Sequence, residues 1–530
     1  MATRPTRYGL FIDGDQVEAT AAGTLDVTDP ATGETWAQVP DASAADVDAA
    51  VRSAHAAFTE GPWPRYRAAD RAGFLIRFGQ LAQERADELA ELQVRENGKL
   101  HREMYGQTKL LREYFEYYAG LAYTLGGSTN QLHVTDMVNY TGREPLGVVA
   151  AITPWNSPLL LLAWKLGPAL AAGNTVVAKP SEVTPVSTVR FAELAVEAGL
   201  PRGVFNVVTG LGHPSGTALT GLGHPSGTAL TGLGHPSGTA LTGLGHPSGT
   251  ALTGHRDVAK IAFTGSTATG QAIAAEAGKT LKRVSLELGG KSPNIVFDDA
   301  DLDGALNGIV AGILGASGQT CMAGSRILVQ DGVYDEVVKR LAERADAITV
   351  GDPRDPATEH GTIASQAQYE KVLRYVEVAK ADGAKLVAGG GTAKVPGLED
   401  GLFVRPTVFA DVTNDMRIAR EEVFGPVAAV LGFRDEDEAV AVANDTEFGL
   451  AAGVWTGSVQ RAHRVAARLH AGTVWINNYR KSSYATPFGG YKQSGLGREN
   501  GRDALLEYTE EKSVWVDTGQ GVKDPFNPRA

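Results

Sequence analysis

From residue 146 onward, short apolar runs alternate with helical patterns, and this alternation limits the possible folds more than any other feature of the chain. The runs at 147–152, 175–178, 204–208, 260–263 and 284–288 are rich in Val, Ile, Ala and Phe, as strands buried on both faces must be. Helical segments such as 187–199 lie between them. Parallel strands need crossovers of a dozen or more residues, usually helices. The pattern therefore predicts a doubly wound parallel α/β sheet, an architecture that holds dinucleotides at the carboxyl ends of its strands. A second α/β texture begins near 293–297 and runs to about 490. No linker separates the two, so the domains are expected to pack closely.

The residues before 146 read differently. Phe11-Ile12-Asp13-Gly14-Asp15-Gln16-Val17 predicts a hairpin with Asp13-Gly14 at its tip. Ser43 is placed to cap a helix with the apolar face Val47, Val51, Ala54 and Phe58. Further helical patterns fill 68–96 and 106–123. The chain has 530 residues, enough for two or three domains. Apolar residues make up 43% and charged residues 21%, which is ordinary for a soluble globular protein. The net charge of −12 argues against nucleic acid or an anionic membrane as a partner. No N-terminal signal pattern is present, and Lys165 and Pro168 interrupt the longest apolar stretch.

Cys321 is the only cysteine, so no disulfide forms within the chain, and a reducing, cytoplasmic setting is expected. Most lone cysteines are buried packing residues. This one lies in Gly318-Gln319-Thr320-Cys321-Met322-Ala323-Gly324, a stretch too small and flexible for a core. Glycines on both sides let another molecule approach the sulfur. Upstream, Leu286-Glu287-Leu288-Gly289-Gly290 places an acid at an apolar strand end. A nucleophile with a base nearby is the minimal set for covalent catalysis.

One segment is anomalous. Residues 209–219, Thr-Gly-Leu-Gly-His-Pro-Ser-Gly-Thr-Ala-Leu, recur unchanged at 220–230, 231–241 and 242–252. Solenoid repeats usually have periods of about 20 residues or more, and each unit here holds three Gly, one Pro and little apolar surface. A tandem duplication of one segment is the simpler reading. The histidines at 213, 224, 235 and 246 follow from the copying, and their spacing is no metal-ligand pattern. The expectation is an outward loop, with short helical turns broken at each His-Pro.

Seven motifs occur in order: Thr153-Pro154-Trp155-Asn156, Lys179-Pro180-Ser181-Glu182, Phe263-Thr264-Gly265-Ser266-Thr267 with Gly270, Leu286-Glu287-Leu288-Gly289-Gly290, Gly318-Gln319-Thr320-Cys321, Glu422-Val423-Phe424-Gly425-Pro426 and Pro487-Phe488-Gly489-Gly490. With them, the chain resembles the NAD(P)-dependent aldehyde dehydrogenase superfamily from about residue 8 to 515. The family pattern needs only one copy of the repeat.

The resemblance implies an NAD-binding domain at 1–125 and 146–288, with the repeat inserted at 209–252. It also implies a catalytic domain at 289–490 and a small β oligomerisation element with a tail at 126–145 and 491–530. Cys321 would attack the aldehyde to give a thiohemiacetal. Asn156, with the Cys321 backbone N–H, would hold the oxyanion. Glu287 would activate the water that cleaves the thioester, with Glu510 as a possible second acid. Cofactor contacts are expected from Thr153, Trp155, Lys179, Ser181, Glu182, Gly212, Gly265, Ser266, Thr267, Gly270, Leu288, Glu422 and Phe424. Gly265 and Ser266 open a helix, so its N-terminus can face a pyrophosphate. NAD is expected over NADP because Glu182 would repel a 2′-phosphate. No metal is required.

The substrate tunnel is expected to be lined by Leu161, Trp164, Tyr479, Arg480 and Phe488. Arg480 would pair with a carboxylate-bearing semialdehyde or serve as a solvated rim charge. The implied reaction is oxidation of a small-molecule aldehyde to its acid in a homodimer or homotetramer. Two alternatives stand beside it. Coenzyme A rather than water would take the acyl group, or the repeat would have left a catalytically impaired binding or structural homologue.

Overall fold

The computed structural model describes residues 4–20, 23–211, 247–519, 521 and 526. Its largest sheet has eight strands. In spatial order they are Gly495–Leu496, Arg283–Glu287, Val258–Thr264, Val148–Thr153, Thr175–Pro180, Phe205–Val207, Leu10–Ile12 and Asp15–Val17. The five central strands are parallel, with Ala151 opposite Ala178 and Phe263 opposite Leu286. These are the five apolar runs, and their burial on both faces explains their composition. The expected hairpin forms the far edge, its tip residues Asp13 and Gly14 both at positive φ (53° and 82°), as a tight two-residue turn requires.

Ser43 caps the helix Ala44–Thr59 in a reciprocal box with Asp46, and the Val47, Val51 and Ala54 face is buried against the sheet. The pattern at 68–96 resolves into two helices, Ala68–Glu84 and Ala86–Asn97. The helix Pro158–Ala172 starts with proline at its first turn and ends at Gly173 in the left-handed region. All its side chains except Leu160 are buried, Lys165 included.

The second sheet has seven strands in the order Lys385–Ala388, Thr407–Ala410, Val427–Phe433, Arg326–Gln330, Pro293–Val296, Ala451–Trp455 and Thr473–Ile476. All but the first are parallel to their neighbours. A three-stranded antiparallel sheet pairs Thr509–Asp517 with Met137–Pro145, and the latter with Thr129–Asn130. The tail segment 491–530 is thus not a unit. Gly495–Leu496 returns to the edge of the first sheet, paired with Leu286 and Glu287, because Leu288 N–H donates to the Ser494 carbonyl at 3.0 Å. Among the described residues no helix is long and apolar enough to cross a membrane.

Of the repeat, the structure describes residues 209–211 of the first copy and 247–252 of the last. The expectations for the copies between them, and for Gly212, lie outside the described residues. The two described ends meet. Ser248 Oγ donates to the Leu211 carbonyl at 3.2 Å, a contact that a single copy would make between residues four apart. The helix Pro247–Gly254 then packs on Ala44–Thr59, with Leu252 in the core beside Val47 and Val51. One composite copy therefore closes the slot.

Candidate active site

The site lies at the carboxyl ends of the first sheet, facing the second domain. The strand Arg283–Glu287 ends on the acid, and two glycines follow. A Cβ on Gly289 would lie 2.6 Å from a Glu422 oxygen, and one on Gly290 would lie 2.6 Å from the Cys321 carbonyl. Only glycine lets the Glu287 strand end press against both.

Cys321 follows a backbone turn with Ala316, Ser317 and Gly318 all at positive φ (54°, 52° and 66°). Left-handed conformations cost non-glycine residues about 1–2 kcal/mol each. The surroundings hold the turn. Ala316 N–H donates to Glu103 Oε1 at 3.2 Å, Arg480 donates to the Ala311 carbonyl at 2.7 Å, and the Gln319 side chain bonds Thr362 O and Ala364 N. Cys321 keeps some contact with solvent, but the protein packed around it dominates. Burial first, then the negative charges of Glu287 and Glu422, pushes the thiol up to about 12.

Asn156 sits between the strand Val148–Thr153 and the buried helix, and its Nδ2 donates to the Gln319 carbonyl at 3.1 Å. Glu287 is 3% exposed, and among the described residues neither carboxylate oxygen has a hydrogen-bond partner. Burial, then the charge of Glu499, holds its carboxyl well above the usual range, opposed by Lys165 and Arg498. Lys165 Nζ lies 2.6 Å from both Glu499 Oε1 and Thr264 Oγ1, with Lys165 and Glu499 fully or nearly buried. Glu499 is thus the second acid near Glu287. Glu510, expected in that place, lies on the exposed strand Thr509–Asp517 and forms a two-toothed bridge to Arg283. Antiparallel pairing on that strand turns Glu510 to solvent.

Residues suited to a dinucleotide gather at the strand ends. The Thr153 hydroxyl is buried with no hydrogen-bond partner among the described residues. Lys179, fully buried and lowered by that burial, donates to the Gly210 carbonyl at 2.9 Å. Ser181 Oγ lies 3.4 Å from a Glu182 oxygen. Gly265 leads into Ser266, which caps the helix Thr267–Gly278, and Gly270 packs tightly on Leu288. Across the cleft Glu422 accepts from Gly290 N–H at 3.0 Å and interacts with buried Lys371, whose ammonium is lowered to about 8 chiefly by burial. Phe424, at positive φ, stands edge-on to Trp155 at 5.3 Å. An orphaned buried hydroxyl, a capped helix start and a buried acid–lysine pair on one cleft fit a dinucleotide cofactor. Among the described residues no cluster of three or more His, Cys, Asp or Glu could hold a metal ion.

Leu161, Trp164 and Phe488 share one apolar cluster with Cys321, together with Tyr114, Leu450 and Tyr484. Tyr479 sits behind the thiol loop instead, donating to the Met322 carbonyl at 3.1 Å. The guanidinium of Arg480 is bound to the Ala311 carbonyl. Sequence reasoning missed Tyr114, Tyr484, Lys371 and Glu499. Lys165 left a legible signal, a lone charge in an apolar helical run. Glu499 left none, because Gly497-Arg498-Glu499-Asn500 reads as surface.

The model of the aldehyde dehydrogenase family matches residues 17–238 and 227–514. The two matches overlap within the repeat, where identical copies serve both. A betaine aldehyde dehydrogenase from Cereibacter sphaeroides is 45% identical over 510 residues, 96% of this chain and 97% of that relative. The NAD+ complex of an aldehyde dehydrogenase from Bacillus cereus is 43% identical, with a TM-score of 0.88 covering 97% of each chain. An NAD-dependent aldehyde dehydrogenase from Sinorhizobium meliloti is 41% identical, with a TM-score of 0.89 over 98% of this chain and 96% of that one. With sequence, fold and cleft in agreement over nearly its whole length, the chain belongs to the aldehyde dehydrogenase family, enzymes that oxidise an aldehyde to the carboxylic acid with NAD(P)+.

Proposed function

We propose that this enzyme oxidises a small, largely apolar aldehyde through a thioacyl intermediate on Cys321 that water hydrolyses. The observation that carries this reading is the convergence of the thiol, the Asn156 amide and the buried, unpartnered Glu287 carboxyl on one cleft. Cys321 Sγ attacks the carbonyl carbon, and its proton leaves to a base. Asn156 Nδ2 and the Cys321 N–H donate to the oxyanion of the resulting thiohemiacetal, where preorganised donors act most strongly.

Thr153, Trp155, Lys179, Ser181 and Glu182, then Gly265, Ser266, Thr267 and Gly270, with Leu288 alongside, would hold the adenosine and pyrophosphate. Glu422, Lys371 and Phe424 would hold the nicotinamide end. When bound, the nicotinamide supplies the hydride acceptor. Once the carbon is oxidised, Cys321 carries a thioester. Glu287 then takes a proton from water, which attacks the thioester and releases the acid and the thiol. A buried carboxyl whose oxygens face no other donor suits water activation and argues against coenzyme A as the acyl acceptor.

NAD would be favoured over NADP, because Glu182, whose charge acts on Lys179, would repel a 2′-phosphate held there. Val138, Tyr140, Trp515 and Val516, exposed on the three-stranded sheet, support a homo-oligomer joined through that face. The single free cysteine suits a reducing, cytoplasmic setting. The test is Cys321→Ala and Glu287→Gln in rapid mixing. Cys321→Ala should lose all turnover. Glu287→Gln should keep a pre-steady-state burst of NADH but turn over slowly, and unchanged steady-state turnover would remove Glu287 from the mechanism.

A further inference from the structure

The amide of Asn156 and the loop of Cys321 belong to a closed circuit of hydrogen bonds that crosses the cleft. Asn97, at the end of the helix Ala86–Asn97, donates from Nδ2 to the Trp155 carbonyl at 3.2 Å. The next residue, Asn156, donates to the Gln319 carbonyl at 3.1 Å. The Gln319 side chain donates to the Thr362 carbonyl at 3.1 Å and accepts from Ala364 N–H at 3.0 Å. Thr362 N–H donates to the Gly98 carbonyl at 3.1 Å, which closes the ring beside Asn97.

Every side chain in the ring is buried: Asn97, Gln319 and Thr362 at 0% and Asn156 at 5%. The corner has no slack. Gly98 is in the left-handed region at φ 67°, and a Cβ there would overlap the Thr362 hydroxyl. Asn97 is held from its other side as well, its Oδ1 accepting from Lys99 N–H at 3.0 Å. Both domains contribute, residues 97–98 and 155–156 from one side and 319 and 362–364 from the other.

We infer that Asn97 and Gln319 are positioning residues that fix the distance between the oxyanion-binding amide of Asn156 and the thiol of Cys321. The inference rests on the roles given above to those two residues. The chemistry explains why a ring is used. An oxyanion donor works only when it already points at the place where charge develops, and a misplacement of about 1 Å costs on the order of 100-fold in rate. Asn156 sits on a loop, where the backbone alone does not hold such tolerance. Pinning the carbonyl just before it and the carbonyl it faces supplies the missing constraint.

The test is a double-mutant cycle between Asn97→Ala and Asn156→Ala, read by kcat/KM with aldehyde and by the rate of Cys321 alkylation with iodoacetamide. Alkylation builds no oxyanion. Asn97→Ala should lower kcat/KM about 10- to 100-fold and leave alkylation within about two-fold. In the Asn156→Ala background its further cost should shrink to under about three-fold, since partners in one network are not additive. Multiplicative losses would show that Asn97 acts by another route and overturn the inference. A full-activity Asn97→Ala beside a crippled Asn156→Ala would overturn it too, while leaving the role of Asn156 intact. An undiminished Asn156→Ala would remove that role and the circuit's purpose together. If Asn97→Ala does not fold, Gln319→Glu breaks the opposite link without changing size, and the same cycle decides.

Discussion

Removing three of the four identical repeats should leave the fold intact and raise its stability. Deleting residues 212–244 or 220–252 gives the same sequence, in which Leu211 reaches the helix start after two residues, Gly and His. In the present chain Leu211 and Pro247 are joined through residues 212–246, yet Ser248 still meets the Leu211 carbonyl at 3.2 Å. Closing the longer connection costs chain entropy of about 0.6 kcal/mol per doubling of length. Roughly four doublings separate the two connections, which sets an upper bound of about 2.5 kcal/mol on the gain. Thermal melting and KM for NAD of the deletion should be compared with the full chain. The melting point should rise by a few degrees with KM equal or lower, because Gly210 at the entry to the repeat accepts the Lys179 bond. A deletion that melts lower, or fails to fold, would mean that the extra copies pack as structure and that the single-copy closure is misread.

Other expectations follow from the buried charges. The rate of Cys321 alkylation in the cofactor-free enzyme should keep climbing above pH 9, since burial and two acids hold the thiol near 12; a plateau below pH 8.5 would contradict this. Glu287 has a folded pKa raised well above its ordinary 4.5, so its contribution to stability is complete below about pH 4.5 and is lost as pH rises through the raised value. Glu287→Gln should therefore resist melting at pH 9 better than the wild type, relative to pH 6, and an unchanged pH dependence would refute it. Lys165→Met strands Glu499 without its counter-charge, which should cost about 3–5 kcal/mol and move the ascending limb of the pH–rate profile upward. A profile that stays in place would separate Lys165 from Glu287. With NADP, Glu182 should impose a penalty of roughly 1–4 kcal/mol for like charges about 4 Å apart; Glu182→Ser should narrow the gap in kcat/KM, and a wild type faster with NADP would overturn the assignment.

The parallel sheets were readable because buried strands are forced to be apolar, and the five runs from 147 to 288 became five adjacent parallel strands. Cys321 and Glu287 stood out in the sequence as candidates because a thiol among glycines and an acid at a strand end are both poor choices for packing. The second acid was not readable. Glu499 reaches Lys165 across more than 300 residues of sequence, and its own neighbours are Arg and Asn, so only the fold reveals that it is buried. Glu510 carried a family-like motif, but strand pairing turned it outward to Arg283. The circuit through Asn97, Gln319 and Thr362 was invisible for the same reason: four of its five hydrogen bonds run to backbone carbonyls, whose positions no side-chain pattern reports.

The meeting of Leu211 with Ser248 also bears on how such a gene can change. Because the copies are identical, replication slippage that gains or loses a whole unit alters only the number of codons between two unchanged junctions. If one composite copy fills the slot whatever the count, copy number is released from selection on the fold. Sister lineages would be expected to differ here in steps of one unit while their flanking strands stay the same.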